Sequence, residues 1–425
     1  MRVLVIGSGA REHALGWKLN QSVLVDELFF APGNPGTSEL GTNFPIPVGD
    51  LDKLVACAEH HKIDLTVVGP EAPLAAGIVD RFEEQGLLVA GPTQAAARIE
   101  SSKIWAKEIM LAAGIPTPRS EHHREFEQAR EAVIDMSLPV VIKADGLAAG
   151  KGVVIADSHQ EAVDALREMM VDRSLGDAAD DVLLEEFLDG LEVSVFGISD
   201  GTTIYTLPPS CDYKRAYDGD TGPNTGGMGA YCPAPAVDPE LMLEINTTIM
   251  QPTIDELKRR GIDYRGLLYA GLILTADGPR VLEFNCRFGD PETQVVLPLL
   301  ECDLAEILQA AARGDLSSVP QPQWREAAAV GVVLASGGYP GNYRTGVSIS
   351  GLDGLEQNQL VFHAGTDQDS DGTLVTSGGR VLTVVAVADS FGEARDSVYR
   401  RAAGIQFSDV QYRKDIAARE AASGS

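Results

Sequence analysis

The first hundred residues alternate short apolar runs with stretches of helical periodicity. The apolar runs lead into Gly, Pro or Asn, and they lie at residues 3–6, 28–31, 65–68 and 87–90. Strands that alternate with helices in this way form a parallel sheet with helices on both faces. The pattern therefore predicts an α/β chain that begins with a doubly wound parallel sheet domain over residues 1–103.

The pattern changes near residue 104. Helical spacing predicts helices over residues 103–113 and 241–260, the second kinked at Pro252. A glycine-rich stretch fills residues 145–152, and Asp189 with Gly190 predicts a hairpin between two neighbouring strands. The predicted strands are 139–144, 182–187, 192–198, 267–274 and 280–284. We assign residues 104–313 to a central domain, with a smaller subdomain over about 120–190.

The last third of the chain favours strands. Residues 210–231 contain too many glycines for regular structure, and an irregular segment of this length predicts a functional loop. Residues 314–323 have the composition of a linker. Apolar runs at 331–335, 361–363 and 381–388 then predict strands, followed by a helix near 394–403. We expect a third, mostly β domain over residues 324–425.

Composition narrows the class of protein. The 34 basic and 62 acidic residues give a net charge of −28, which disfavours nucleic acids and anionic membranes as partners. No apolar run approaches about 18 residues, the length that would span a membrane. The five cysteines are widely spaced without Cys-x-x-Cys, so they predict neither a zinc site nor a disulfide framework. We expect a cytoplasmic monomer that binds small molecules.

Four loops follow the predicted N-terminal strands, at residues 7–13, 31–36, 69–73 and 91–93. Ligands of doubly wound sheets bind at this edge. Gly7-x-Gly9 suggests a dinucleotide turn, but Glu12 occupies the third glycine position and the second strand ends without an acidic residue. Two interpretations stay open here with similar weight: a tight structural turn, and a phosphate-bearing small molecule at a helix N-terminus.

The strand over residues 280–284 leads into a polar pattern of period two. Because successive side chains of a strand alternate between its faces, Glu283, Asn285 and Arg287 should point the same way. A carboxylate and an amide oxygen can hold Mg²⁺ or Mn²⁺, and a guanidinium beside them can bind the phosphate that the metal bridges. We therefore predict Glu283 and Asn285 as metal ligands and Arg287 as a catalytic phosphate-binding residue.

A second phosphate-binding region is predicted around Lys143, which ends a strand just before the glycine-rich stretch. Its ammonium can reach the α- or β-phosphate of a nucleotide while backbone N–H groups of Gly150 to Gly152 close over the β- and γ-phosphates. A lysine at a strand end is often only solvated, but the adjacent glycines favour the phosphate role. Lys103 and Lys151 are further candidates, and a Walker A motif is absent from the sequence.

The segment Glu185, Glu186, Phe187 and Leu188 offers backbone donors and acceptors that can bind the amino edge of adenine. Glu192 is placed to accept hydrogen bonds from ribose hydroxyls. The alternative is a pair of exposed carboxylates that protect a strand edge. The neighbouring phosphate motifs favour the nucleotide interpretation.

The order of lysine strand, glycine loop, Glu-Glu-Phe-Leu and Glu-x-Asn-x-Arg strand resembles the ATP-grasp fold, whose members join a carboxylate to a nucleophile through an acyl phosphate. Longer segments are similar to the phosphoribosylamine–glycine ligases, also called glycinamide ribonucleotide synthetases. These segments are Gly-x-Arg-Glu-His-Ala from Gly9, Val-Gly-Pro-Glu-Ala-Pro-Leu from Val68, Lys-Ala-Asp-Gly-Leu-Ala-Ala-Gly-Lys-Gly from Lys143, Asp-Thr-Gly-Pro-Asn-Thr-Gly-Gly-Met-Gly-Ala-Tyr from Asp220 and Arg-Phe-Gly-Asp-Pro-Glu-Thr-Gln from Arg287. The resemblance spans essentially the whole chain, apart from its ends.

The resemblance implies the reaction ATP + glycine + 5-phosphoribosylamine → ADP + phosphate + glycinamide ribonucleotide, a step of purine biosynthesis. A metal ion on Glu283 and Asn285, with Lys143 and Arg287, would offset the charge that repels the attacking glycine carboxylate. Residues 145–152 and 212–229 would act as lids that exclude water from the glycyl phosphate.

The resemblance also implies two substrate regions. The acceptor site would be lined by Asp212, Lys214, Arg215, Asn224, Thr225, Gly226, Gly227, Met228 and Gly229. The N-terminal crevice would hold the sugar phosphate near Gly9, Asn34, Gly69 and Glu71. Asp290 would act beside the metal as a catalytic residue, and Glu292 would support it, although both are equally compatible with structural roles. His13 is interpreted as a packing or hydrogen-bonding residue rather than a general base.

Three other functions compete with this one. Another ATP-grasp carboxylate–amine ligase would share the fold, a non-catalytic nucleotide-binding protein would have a decayed site, and an NAD-dependent oxidoreductase is disfavoured by the incomplete fingerprint. The strand before Glu283 reads Leu-Leu-Tyr-Ala-Gly-Leu-Ile, without the additional glutamate of many ATP-grasp enzymes. A second metal ion held entirely by protein is therefore disfavoured.

Overall fold

The computed structural model describes residues 1–148 and 152–423. The predictions on Gly150 and Lys151 lie outside these described residues. Within them the chain folds into a parallel sheet, three larger antiparallel sheets and two short two-stranded sheets. Across the described part of the chain, no helix is long and apolar enough to cross a membrane.

The N-terminal region forms the predicted parallel sheet. Its elements are β1 (Arg2–Gly7), α1 (Ala10–Leu19), β2 (Glu27–Pro32), β3 (Thr42–Asn43), α2 (Leu51–His61), β4 (Leu65–Val68), α3 (Glu71–Ala75), α4 (Ile78–Glu84), β5 (Val89–Ala90) and α5 (Gln94–Ser101). The strand order is β3-β2-β1-β4-β5, and all neighbours run parallel. The apolar runs become buried strands because helices cover the sheet.

A four-stranded antiparallel sheet with its own hydrophobic core follows. Helix α6 (Lys103–Ala113) precedes this sheet and packs against α5. The elements of the sheet and its core are β6 (Ser120–His123), α7 (Phe126–Asp135), β7 (Val140–Ala144), β8 (Val153–Ala156), α8 (His159–Leu166) and β9 (Val182–Glu186). The order β6-β9-β7-β8 places β9 between two partners. We call this unit the lid sheet.

The next elements build the larger part of the central region. They are β10 (Leu191–Asp200), β11 (Ile204–Thr206), β12 (Cys211–Asp212), β13 (Arg215–Tyr217), β14 (Thr221–Asn224), β15 (Gly229–Cys232), α9 (Pro239–Ile245), α10 (Gln251–Arg259), β16 (Arg265–Thr275), β17 (Gly278–Asn285), α11 (Glu292–Val296) and α12 (Leu304–Arg313). The order β11-β10-β16-β17 forms the sheet that carries the predicted metal strand. The predicted helical segment is divided by a π-helical turn, Asn246–Met250, and Pro252 lies in the first turn of α10.

Two local predictions are wrong in this region. The strands flanking Asp189 and Gly190 do not form a hairpin, because β9 pairs with β6 and β7 while β10 pairs with β11 and β16. Residues 210–231 are also not irregular, since they contain β12 to β15. Gly219 and Asp220 have φ angles of 68° and 53°, which allow the tight turn that joins β13 to β14. Pairing with distant strands outweighed the local turn signal and the glycine content.

The C-terminal region is mostly β, as predicted. Its elements are β18 (Ala328–Ala335), β19 (Gln359–His363), β20 (Thr366–Gln368), β21 (Leu374–Thr376), β22 (Arg380–Ala388), α13 (Phe391–Gly404) and α14 (Ala418–Ser423). The antiparallel order β12-β15-β18-β22-β19 brings two strands of the central region into the same sheet. The predicted fold class is confirmed. The C-terminal sheet includes β12 and β15, which flank residues 224–229, the predicted acceptor loop.

Candidate active site

The predicted metal strand is β17, and it brings its polar residues together. Arg287 follows the strand, and its Nη2 donates to Oδ1 of Asn285 at 3.4 Å. Opposite Gly271 and Leu272 of β16, a β-bulge leaves Leu282 outside the regular pairing. The Leu282 carbonyl instead accepts from Nζ of Lys143 at 2.9 Å. The bulge thus connects the metal strand to the lysine strand β7 of the lid sheet.

Glu283 is surrounded by cations. Burial would raise the pKa of its carboxyl, but Lys214, Lys143, Lys103 and Arg287 outweigh that effect and hold the pKa below the ordinary value. The carboxylate is therefore ionised at neutral pH, as a metal ligand must be. In a chain with a net charge of −28, this cluster is a local positive site suited to a polyphosphate.

The donor atoms at Glu283 and Asn285 fit a divalent cation. A carboxylate oxygen and an amide oxygen are hard ligands, which suit Mg²⁺ or Mn²⁺. Among the described residues, no group of three or more His, Cys, Asp and Glu side chains could hold a metal ion. Mg²⁺ is commonly held by one or two protein oxygens together with substrate phosphates and water. The residues present therefore match a metal that binds with its nucleotide.

Lys143 is fixed by a buried ion-pair network. Its Nζ lies 2.6 Å from Oε2 of Glu185, and Nζ of Lys107 lies 2.6 Å from Oε1 of the same carboxylate. Strand β9 lies in the interior of the sheet and Glu185 is buried, so Glu185 is not an exposed carboxylate at a strand edge. Burial lowers the pKa of Lys107, which also donates to Oγ1 of Thr117 at 2.7 Å. The Glu185 side chain orients Lys143. The backbone groups of residues 185–188 are still the predicted hydrogen-bond partners of adenine.

The other nucleotide candidates lie around this network. Glu186 pairs with Arg119 on the lid sheet, and Phe187 is exposed on the link between β9 and β10. Lys103 begins α6 and donates to the Gly146 carbonyl at 3.3 Å, and burial lowers its pKa. A Cβ at Gly152 would lie 2.8 Å from that of Ala148, so these two described residues lie close together. Leu188 lies half-buried on the same link.

Glu192, which is predicted to bind the ribose hydroxyls, pairs with a lysine in this structure. Its Oε2 lies 2.7 Å from Nζ of Lys214, so the carboxylate is engaged by a lysine of the predicted acceptor site. Burial raises the pKa of Asp212 to about 7, against the opposing charge of Lys214. Burial would lower the pKa of Lys214, but Asp212, Glu192, Tyr269 and Glu283 together hold it well above its ordinary value. The lysine stays charged between carboxylates.

The predicted acceptor loop packs against Asp290. Thr225 donates its backbone N–H and its hydroxyl to the Lys214 carbonyl, at 2.8 and 2.9 Å. Gly227 has a φ of 107°, and a Cβ there would lie 2.4 Å from the Pro291 ring, so only glycine permits this approach. Gly226 donates its N–H to the Tyr339 hydroxyl at 3.0 Å. The loop is thereby held between the central and C-terminal sheets.

Met228 and Gly229, which are predicted to line the acceptor site, lie within the sheet. Met228 is fully buried, and its backbone bonds to Tyr213 and Val333. Gly229 begins β15 and pairs opposite Val332. Both residues anchor the loop in the sheet rather than present side chains to a ligand. Asn224, by contrast, is exposed at the end of β14 opposite Arg215.

Sequence reasoning missed Arg380, the first residue of β22. Its guanidinium donates to the backbone carbonyl of Asp290 at 2.8 Å, to Oδ2 of Asp290 at 2.9 Å and to the Gly226 carbonyl. Gln294 donates to the other carboxylate oxygen at 2.7 Å. Burial would raise the pKa of Asp290, but Arg380, Arg11 and Arg287 keep it below its ordinary value. Arg380 lies outside every motif, so the sequence offered no signal for it.

The N-terminal crevice is filled at its base by Glu12. Its carboxylate accepts from the Gly9 N–H and from Nε of Arg11, both at 2.6 Å. A Cβ at Gly69 would lie 2.0 Å from Oε1 of Glu12, and one at Gly9 would lie 3.6 Å from Oδ2 of Asp290. The glycines therefore make room for this buried side chain, and the crevice opens toward Asp290.

Three further crevice residues have defined partners. The Asn34 amide donates to the carbonyls of Ser8 and His363, both at 2.8 Å. Glu71 lies 3.4 Å from Nε of Arg287 and so faces the metal strand. His13 accepts at Nδ1 from the His363 N–H at 2.9 Å, and burial lowers its pKa to about 3. The prediction that His13 packs and hydrogen-bonds is confirmed.

Glu292, the predicted neighbour of the metal region, is a buried structural carboxylate. Its Oε1 accepts from the hydroxyls of Tyr269 at 2.8 Å and Ser194 at 3.4 Å. These partners lie on β16 and β10, the two strands that precede the metal strand in the sheet order. Glu292 therefore ties α11 to the sheet that presents Glu283.

The lysine strand β7 and the metal strand β17 belong to two antiparallel sheets and meet at the Lys143–Leu282 hydrogen bond, which is the arrangement of an ATP-grasp enzyme. Models of the three domains of phosphoribosylglycinamide synthetase match the chain: the N domain at residues 1–100, the ATP-grasp (A) domain at 101–293 and the C domain at 329–419. The chain belongs to the phosphoribosylglycinamide synthetase family. The predicted ATP-dependent ligase of purine biosynthesis is thereby confirmed.

Individual relatives agree with this family. A phosphoribosylamine–glycine ligase of Halalkalibacterium halodurans is 49% identical over 416 residues, 98% of this chain and 96% of the relative. The crystal structure of phosphoribosylamine–glycine ligase from Thermotoga maritima has a TM-score of 0.86 at 37% identity, over 98% of this chain and 100% of the other. A second structure is the biotin carboxylase domain of Hydrogenobacter thermophilus 2-oxoglutarate carboxylase, solved with MgADP. It has a TM-score of 0.74 at 17% identity, over 97% of this chain and 91% of the other. That last likeness extends to the fold alone.

Proposed function

We propose that this chain joins glycine to 5-phosphoribosylamine through a glycyl phosphate, and releases glycinamide ribonucleotide, ADP and phosphate. The observation that carries the proposal is the arrangement around β17. The cationic cluster at Glu283 includes Lys214 of the acceptor site, and Arg380 fixes the acceptor loop against Asp290, which follows β17 in the chain.

The first step is attack of a glycine carboxylate oxygen on the γ-phosphorus of ATP, with the bond to the leaving ADP breaking. Lys143 and Arg287 lower the repulsion between the carboxylate and the phosphates. A bound divalent cation on Glu283 and Asn285 would neutralise charge on the phosphate oxygens, and either Mg²⁺ or Mn²⁺ suits these donors. Lys103 and the N–H groups of residues 150–152 complete the proposed phosphate site.

In the second step the amine nitrogen of phosphoribosylamine attacks the acyl carbon, and phosphate leaves. We assign the acceptor to Lys214, Arg215, Asn224 and the backbone of residues 225–227, with the sugar phosphate in the crevice near Gly9 and Gly69. Water competes with the amine for the acyl phosphate, so the acceptor loop must be ordered before the acyl group forms. Its bonds to Arg380 and Tyr339 support this assignment.

The proposal extends to organisation. We assign residues 1–103, 104–313 and 324–425 to three domains, with residues 120–190 as the nucleotide lid. We also propose that the protein is a cytoplasmic monomer whose partners are its small-molecule substrates. Gel filtration with light scattering tests the monomer, since a mass near twice that of the chain would exclude it.

The test of the reaction is ADP release with each component omitted in turn. Phosphoribosylamine would be generated in situ from ribose 5-phosphate and ammonia. We expect release only when glycine and the phosphoribosyl amine are both present. If ADP appeared only with a different carboxylate, the chain would be another ATP-grasp ligase. If ADP never appeared, a non-catalytic nucleotide-binding role would replace the proposal.

A further inference from the structure

The hairpin of β13 and β14 needs external support. It forms a two-stranded sheet of its own, and the residues of β14, Thr221–Asn224, are all exposed. An isolated two-stranded hairpin is marginally stable in water. Its open end nevertheless carries Lys214 and Thr225 of the proposed acceptor site. The geometry of that site therefore depends on the contacts that hold the hairpin, in addition to those that hold the acceptor loop.

A fully buried arginine, Arg413, supplies the support. Its Nη1 donates to Oδ1 of Asp220 at 2.7 Å and to the Arg215 carbonyl at 3.1 Å. Its Nε and Nη2 form a two-pronged pair with the Asp415 carboxylate, at 2.8 and 2.6 Å. The guanidinium also lies over the Tyr213 ring, 4.6 Å from its centroid. One side chain thus contacts both the turn and the base of the hairpin.

The backbone around Arg413 adds to this contact. Lys414 donates its N–H to Oδ1 of Asp218 at 2.8 Å, and Asp415 accepts from the Gly219 N–H at 2.9 Å. Ala417 donates to the Tyr213 hydroxyl at 3.0 Å. The segment is itself fixed to α13, because the Tyr399 hydroxyl donates to the Arg413 carbonyl at 2.9 Å. We call residues 413–417 the clamp.

We propose that Arg413 is a positioning residue for the amine substrate: through the clamp it fixes the β13–β14 hairpin, and so places Lys214 and the acceptor loop. This inference rests on the proposed function for the identity of the amine. Lysine cannot replace Arg413, because a single ammonium cannot reach Asp220, Asp415 and the Arg215 carbonyl with the planar fork that a guanidinium provides. The hairpin of an Arg413→Lys variant should stay attached but loosen.

The test compares Arg413→Lys with Arg401→Lys in the full chain. Arg401 is a buried arginine of the same region that donates to the carbonyls of Leu352 and Asp353, which are not part of the hairpin or the clamp. We expect the amides of residues 217–222, 224 and 225 to exchange hydrogen at least about tenfold faster in Arg413→Lys, as loss of a charged hydrogen bond predicts. The KM for phosphoribosylamine should rise by about tenfold while that for ATP stays within about twofold. Arg401→Lys should show neither change.

Equal exchange and equal KM values in the two variants would overturn the proposal. If Arg413→Lys does not fold, Asp220→Asn breaks the clamp from the exposed side of the hairpin and should accelerate exchange at the same amides. Unchanged exchange in Asp220→Asn would then reject the clamp. Hydrogen exchange needs no substrate, so it tests the clamp independently of the reaction. Absence of amine-dependent ADP release from the wild-type protein would reject the proposed function and leave the exchange test of the clamp unaffected.

Discussion

At the scale of the residue, Glu283 owes its charge to its neighbours. Burial alone would favour the protonated carboxyl, and the surrounding lysines and Arg287 reverse that preference. The same cations are left facing one another when the carboxylate is removed. A metal ligand and the charges that accept a polyphosphate are therefore parts of one electrostatic arrangement.

Glu283→Ala should lower the rate of ADP release by at least about a hundredfold, because a charged ligand of the metal and the phosphates is lost. Cooperative unfolding should persist, since the side chain borders a polar cleft. Glu240→Ala, at an exposed position of α9, is the matched control and should keep wild-type rates. Full activity of Glu283→Ala at limiting Mg²⁺ would exclude Glu283 as the metal ligand.

Asp212 predicts a pH dependence of stability. Burial raises the pKa of its carboxyl to about 7, whereas the unfolded chain titrates near 4. Between those pH values the folded state binds more protons, so the Asp212 contribution to stability falls as pH rises. Asp212→Asn should remove this loss, and its Tm advantage over wild type should grow from pH 5 to pH 8. An advantage that shrinks over this range would contradict the raised pKa.

At the scale of the element, the link of residues 187–190 joins two sheets rather than two strands of a hairpin. It follows the lid sheet directly and precedes β10, which is paired along its length with β16. The link ends at Gly190, where a Cβ would lie 2.3 Å from the Leu274 carbonyl oxygen of β16. The lid sheet is therefore joined to the metal-bearing sheet by a link whose last residue, Gly190, packs closely against the backbone of β16.

Gly190→Ala should destabilise the protein by about 1–3 kcal/mol, because the added methyl group must displace backbone rather than a flexible side chain. Denaturant unfolding measures this loss, and we also expect a higher KM for ATP as the lid sheet shifts. Gly49→Ala is the control, because a Cβ there meets nothing within 4 Å. Equal stability of the two variants would show that the approach at Gly190 is not close.

At the scale of the whole molecule, charge is distributed unevenly. The chain carries a net charge of −28, yet Lys103, Lys143, Lys214 and Arg287 meet at one carboxylate. Repulsion among surface carboxylates opposes folding, and salt screens exposed charges more than buried ones. Stability and substrate binding should therefore respond differently to ionic strength.

Raising KCl from 0.05 to 0.5 M at pH 7.5 should increase Tm by roughly 2–4 °C, which corresponds to about 1 kcal/mol for a domain of 150–250 residues. Differential scanning fluorimetry or calorimetry measures the shift. The same experiment at pH 5 is the control, because partial protonation of the carboxylates should reduce the effect. A Tm that falls with KCl at pH 7.5 would show that favourable surface ion pairs outweigh the repulsion.

What the sequence determined by itself was local and periodic. The apolar runs became the strands of the parallel sheet, α6 begins and ends where its spacing predicted, and the period of two placed Asn285 beside Arg287. These features depend on residues a few positions apart, so they can be predicted without knowledge of the tertiary contacts. The family motifs are also short contiguous segments, so the sequence alone was enough to predict an ATP-dependent ligase.

Tertiary structure alone decided what depends on distant partners. It separated β9 from β10, buried Glu185 between Lys107 and Lys143, and brought Arg380 onto Asp290. Pairing partners and burial arise from contacts between segments tens to hundreds of residues apart, and no local period encodes those contacts. The sequence therefore specified the reacting groups, and the fold specified what holds them in place.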